Sequence, residues 1–188
     1  MWREWMSPPS RGWTYDQLQD IDIPFDWDLV DGVITPRVRT DFWHDEVRDS
    51  LTRELRGART GRFTAIGPVT VFLDDRNAIR PDAAVFDRVI CTRTASEFLP
   101  LESIALLVEV VSPATEANDR FRKPGQYAEK GIPHYWRVER GPDHLPVVHE
   151  FHRDEEKGVY LPVAQHEGVL RTSVPYPVEI DLAAVVEL

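Results

Sequence analysis

The sequence predicts a mixed α/β fold, a β-sheet with helices packed on it. Three observations carry that expectation. Ile104 to Ser112 reads IALLVEVVS, a nearly continuous apolar run ended by Pro113, which is the pattern of a strand buried on both faces. From Asp41 to Leu55 the period becomes helical, with Trp43, Val47, Leu51 and Leu55 four residues apart. Several short β-branched or aromatic runs surround these two, parted by Gly, Pro, Asp and Asn, with no internal repeat.

The elements follow in order. Residues 1–24 read as an N-terminal arm with a short helix, and residues 25–188 as a single domain. The arm holds Trp2 and Trp5 without periodicity, and Thr14 to Gln17 matches a capping box. Phe25 to Thr35 is a hairpin about Asp31-Gly32, a strong two-residue turn. The helix from Asp41 has Thr40 or Asp41 as cap and Gly57 as stop. Phe63 to Ile66 and Val69 to Leu73 are short strands, and Asp74 to Asn77 is a turn. Ala78 to Phe86 reads as one strand interrupted by Pro81, with Asp82, Ala84 and Phe86 on one face. Arg88 to Pro100 reads as a polar connection with a helical turn at Ser96 to Phe98. In the central strand, Ala105, Leu107, Glu109 and Val111 share a face. Pro124 then opens a helix that Gly131 closes, with Lys123 at its entrance. His134 to Glu139 is a strand, and Val147 to Arg153 pairs with Gly158 to Ala164. Val178 to Leu182 is a last strand, and Ala183 to Val186 a short closing helix.

Composition narrows the function classes. Lys+Arg number 22 and Asp+Glu 32, a net charge of −10, which argues against a general basic coat for nucleic acid. A nuclease remains compatible, because bound divalent ions add local positive charge that the sequence count omits. Cys91 is the single cysteine, so no intrachain disulfide forms. No signal-peptide pattern and no long apolar run occur, so a cytoplasmic protein without membrane contact is expected. There is no GxGxxG or GxxxxGK phosphate loop and no GxSxG around Ser112. His149 and His152 lie three apart on a strand and point to opposite faces, which does not suit zinc.

Glu109 is the residue that apolar packing does not explain. A carboxylate flanked by LLV and VV costs several kcal/mol unless paired, protonated or metal-bound. Asp82, beside another apolar run, is a second such acid. Two acids on neighbouring strands, with the Val110 carbonyl, can supply the oxygen ligands that Mg²⁺ takes. Lys123, following on the next helix, can fold back over the strand end as a cation. His44 falls within the apolar stripe of its helix and points inward, which also fits an ordinary core histidine. Asp28 alternates with apolar residues, which also fits a solvated strand face. Buried ion pairing is the competing account of Glu109, and helix-capping that of Lys123. Arg80, Arg120, Arg122 and Lys123 are the basic residues nearest the site, available to phosphates or serving as ordinary surface charge.

RPDAAVFD, LLVEVVSP and DRFRKPGQYAEKGIPHYWRVE together resemble the Uma2 family of restriction-endonuclease-like proteins, which is similar to a branch of the PD-(D/E)XK nuclease superfamily. The resemblance runs from WDLVDG at Trp27 through YWRVE at Glu139. It implies a restriction-endonuclease-like mixed sheet flanked by helices. It implies Asp82 and Glu109 as metal ligands, joined by the Val110 carbonyl and Asp28, with Mg²⁺ or Mn²⁺ as cofactor. The superfamily lysine, two residues after the acid, is replaced here by Val111, and the resemblance moves that role to Lys123 on the following helix. It also implies His44 as a site residue. The family more often has glutamate where Asp28 stands, and aspartate reaches one methylene less. The expected activity is metal-dependent endonucleolytic cleavage of DNA, with a homodimer as the expected assembly. The alternative is a silent nuclease-like domain that binds nucleic acid or protein.

Overall fold

The computed structural model describes residues 4–37, 39–94, 98–113 and 116–186. Its centre is a six-stranded mixed sheet in the order β10-β9-β8-β7-β6-β3. The strands are β3 (Phe63–Ile66), β6 (Ala83–Asp87), β7 (Ile104–Val110), β8 (His134–Arg140), β9 (Pro146–Asp154) and β10 (Val159–His166). All neighbours are antiparallel except β7 and β8, which run parallel. A second, four-stranded sheet has the order β2-β1-β5-β4, from β1 (Trp27–Val30), β2 (Val33–Pro36), β4 (Val71–Asp74) and β5 (Asn77–Ile79). β11 (Val169–Thr172) and β12 (Val178–Asp181) form a separate ribbon.

Two cores lie on opposite faces of the central sheet. On one face, α2 (Phe42–Gly57) lays Trp43, Val47, Leu51 and Leu55 against Leu106, Val108 and Val110, and the ribbon adds Leu170 and Ile180. On the other, α4 (Lys123–Glu129) sets Tyr127 against Leu107 and Tyr135, and the smaller sheet adds Val71, Leu73 and Ile79. Every residue of β7 is buried, as expected for a strand covered on both sides. Burying a side chain such as Leu51 or Leu107 contributes about 2 kcal/mol each, so this doubly covered strand anchors the fold. Under the outer face of the smaller sheet, Trp13 and Leu18 of the N-terminal segment pack on Leu29 and Ala78. Leu18 belongs to α1 (Tyr15–Leu18), where the Gln17 side chain accepts from the Thr14 N–H. Trp5 packs edge-on to Phe25, ring centroids 5.1 Å apart, while Trp2 lies outside the described residues.

The hairpin turn is read correctly: Asp31 and Gly32 both have positive φ, at 52° and 76°, as a type I′ turn requires. Four expectations are corrected. Ala78 to Phe86 is two strands, β5 and β6, in different sheets, because Pro81 has no N–H for a ladder and the chain crosses between sheets there. The expected polar connection contains α3 (Arg88–Thr94), a helix of weak formers that the Asp87 carboxylate starts by accepting from the Val89 N–H at 2.9 Å. The helical turn expected from Ser96 lies largely outside the described residues. Ala105 does not share a face with Glu109: a register shift between Val85 and Phe86 leaves it as a bulge on the α2 side. The chain after β12 makes a turn rather than a helix, while β11, short and mostly exposed, went unread.

The other departure concerns Lys123. The helix does not begin at Pro124. A π-helical turn, Asn118–Arg122, runs directly into α4, so Lys123 sits inside a longer helix. Gly131, at φ 81°, ends it as expected.

Candidate active site

The crossing between the sheets creates the site. Arg80, Pro81 and Asp82 carry the chain from β5 to β6. The Asp82 carboxylate accepts the Val110 N–H at 2.8 Å, replacing the ladder bond that the chain loses at Pro81. In an extended strand a residue's N–H and C=O leave on the same edge, so the Val110 carbonyl also faces the Asp82 side. His44, one turn into α2 and 4% exposed, brings Nε2 to 3.3 Å from the same Asp82 oxygen. Its helix is capped by Asp41, which accepts the His44 N–H at 2.9 Å. One carboxylate is therefore held by a strand end and a helix start together.

Glu109, 2% exposed, projects from the opposite face of β7 to Val110 and meets α4. Lys123 Nζ lies 2.8 Å from one of its oxygens, and the Tyr127 hydroxyl donates to the other. Lys123 Nζ is also 2.7 Å from Asp119, itself 1% exposed. Asp119, Lys123 and Tyr127 are spaced by four, so one face of the helix carries all three. The π-turn keeps that face on Glu109.

Asp28 reaches the site from the smaller sheet. Its carboxylate accepts the Arg80 N–H at 3.0 Å and pairs with Arg37, and Arg37 also donates to the Arg80 carbonyl at 3.1 Å. Asp28, His44, Asp82, Glu109, Val110, Asp119 and Lys123 all line one cavity of about 170 Å³. The six candidate site residues Asp28, His44, Asp82, Glu109, Val110 and Lys123, with Arg80, thus reach one place. Arg120 and Arg122 do not: they pair with Glu116 and Glu139, and with Asp31. Tyr127, Asp119 and Arg37 were not singled out. The four-residue repeat Asp119, Lys123, Tyr127 was the available signal for two of them.

The charges in this cavity are strongly perturbed. Burial pushes Glu109 up to about 8, with Lys123 pulling the other way and Asp119 and Asp82 adding to the rise. Burial alone would lower Lys123, but Glu109 and Asp119 outweigh it and keep the ammonium charged. Burial and the adjacent Glu109 raise Tyr127, so it stays a phenol and a donor. Burial raises Asp28 against the opposing pull of Arg37. For His44 burial is offset by the carboxylates of Asp82 and Asp45, and the net shift is upward.

The donor set fits a hard divalent ion. It offers carboxylate oxygens of Asp28, Asp82 and Glu109 and the Val110 carbonyl around one cavity. Among the described residues no three His, Cys, Asp or Glu side chains form a metal-holding group by themselves. Oxygen donors are the kind that Mg²⁺ takes, as one or two carboxylates with several waters, whereas structural zinc sites favour Cys and His.

The architecture is a mixed α+β fold, with acids and a helix-borne lysine gathered at the end of its central strand. A crystal structure from Anabaena variabilis ATCC 29413, described as a putative nuclease belonging to DUF820, superposes with a TM-score of 0.64 over 86% of this chain and 89% of that one, at 15% identity. The chain belongs to the Uma2 family, described as "putative restriction endonuclease", whose model matches residues 14–185. Among curated proteins nothing matches the sequence. No helix among the described residues is long and apolar enough to cross a membrane.

Proposed function

We propose that this protein is a metal-dependent DNA endonuclease with a PD-(D/E)XK-type site whose lysine comes from the following helix. The observation that carries the reading is the Lys123 ammonium, 2.8 Å from Glu109 inside the cavity that Asp82 also lines. A lysine two residues after the acid would have stood at Val111, and Lys123 supplies the same charge from another element.

Asp82, Glu109 and the Val110 carbonyl would hold Mg²⁺ or Mn²⁺, with Asp28 facing them across the cavity. Such an ion, when bound, lowers the pKa of a water and neutralises charge developing on the phosphoryl oxygens. Lys123 orients the attacking water or the phosphate and offsets the growing negative charge. Asp119 and Tyr127 fix the lysine and Glu109 so that neither reorganises during the reaction. His44 holds Asp82 in place, and Arg37 does the same for Asp28.

The test is supercoiled plasmid incubated with purified protein in Mg²⁺ and in Mn²⁺, beside folded Glu109→Gln. Nicking by the wild type, and a loss of at least ~10²-fold in the variant, is expected. No cleavage of duplex or single-stranded DNA under either ion would hand the site to the alternative, a binding module.

A further inference from the structure

Phe42 is the first residue of α2 and 85% exposed, the most exposed of the large apolar side chains among the described residues. Trp43 and His44 beside it turn inward, so the core makes no demand on Phe42. Its ring lines an open groove of about 640 Å³. Arg39 and Arg80 line the same groove, and among the described residues neither guanidinium has an ion-pair or hydrogen-bond partner. The main chain of Arg80 is pinned through Asp28 and Arg37, so the origin of its side chain is fixed. The groove also contains carboxylates. Asp41 is engaged by Arg140 and the α2 cap, and Asp45 by Arg48 and Thr40, while Asp26 remains exposed. His44 and Asp82 line both the groove and the smaller cavity, so the two adjoin.

An exposed aromatic ring beside uncommitted arginines matches nucleic acid in one form particularly. Arginines take phosphates from single or double strands alike, but a protein ring can stack only on a base whose face is free. In a duplex those faces are covered by neighbouring pairs. We propose that the groove receives single-stranded DNA, with one base stacked on Phe42 and its phosphates on Arg39 and Arg80, and that it delivers this strand to the site. The proposal rests on the nuclease reading and adds to it a preference for unpaired DNA, which strand openings in a supercoiled plasmid also offer.

The test uses the full chain carrying Glu109→Gln, which is expected to bind without cutting. Binding of a labelled 20-nucleotide single strand and of the matching duplex is followed by fluorescence anisotropy in Mg²⁺. The single strand is expected to bind more tightly. Phe42→Ala is expected to weaken its binding ~10-fold or more and to leave the duplex nearly unaffected, and Phe42→Trp to restore it. Phe42 is outside the core, so unfolding does not confound the variant, and a thermal melt checks this. Equal binding of both DNAs, no binding of the single strand, or an inert Phe42→Ala would overturn the proposal. If the wild type nicks plasmid while Phe42→Ala is inert in binding, this inference alone fails. If Phe42-dependent binding holds and no DNA is cut, the nuclease reading alone fails.

Discussion

Glu109 is tolerable inside a sheet because three side chains are built around it. Lys123 neutralises it, Tyr127 donates to its other oxygen, and Asp119 holds the lysine from behind. Truncating one member of such a set leaves charge stranded in a dry pocket. Lys123→Ala exposes two buried carboxylates to each other and is expected to cost about 3 kcal/mol of stability, measured by urea unfolding. Adding Glu109→Gln to that variant should recover part of the loss. Non-additivity in this double-mutant cycle measures the pair directly, and an additive cycle would rule out the coupling.

At the scale of elements, the site depends on how closely α2, the 67–68 turn and the sheet crossing approach one another. Gly67 shows how little room there is. A Cβ placed there would lie 2.2 Å from the Asp82 carbonyl oxygen, 3.0 Å from Ala83 Cα and 3.1 Å from the Thr52 hydroxyl. The first two contacts are backbone, so the crossing itself would have to move. Gly67→Ala is therefore expected to destabilise the fold by about 1–3 kcal/mol and to displace the Asp82 carboxylate from the Val110 N–H. Metal-dependent cleavage should fall with it, although Gly67 is not among the residues lining the cavity. An unchanged melting temperature would contradict this account of the packing. The π-turn before α4 works in the same way: it leads into the helix that sets Lys123 against Glu109, far along the chain from it.

For the whole molecule, pH also acts on stability through a group remote from the site. His134 opens β8 with its ring against His152, centroids 4.6 Å apart, and Glu150 beside them accepts from Thr172 and contacts His152 and His166. Burial, reinforced by His152, pushes His134 down to about 4 from an ordinary 6.5. The unfolded chain thus takes up this proton more readily than the folded one. The contribution of His134 is complete above pH 6.5 and is lost as pH falls towards 4. His134→Gln is expected to flatten the stability profile across that window, read as urea midpoints between pH 7.5 and 4. An identical slope in both proteins would remove His134 from the account. The net charge of −10 acts on the same scale. Under the proposed function it leaves nucleic-acid binding to local features, the Arg39–Arg80 groove and a divalent ion, rather than to the surface at large.

Periodicity and turn chemistry by themselves determined most of the elements. The α2 stripe, the Asp31-Gly32 hairpin, the doubly buried β7 and the Gly131 stop were legible because each is dictated by local spacing or backbone geometry. Glu109 was legible for the opposite reason, as a charge where the pattern demands none. Asp28 and His44 were ambiguous, since alternation and helical angle say which way a side chain points but not what waits there. Only the tertiary structure decided that Pro81 sends the chain from one sheet to the other, and that this crossing brings Asp28, Asp82 and Glu109 to one cavity. Only it placed Lys123 inside a helix that begins before Pro124, with its ammonium 2.8 Å from Glu109 and 2.7 Å from Asp119. Local free energies select elements, whereas the site is made by long-range contacts between five of them, and those contacts exist only once both faces of β7 are covered.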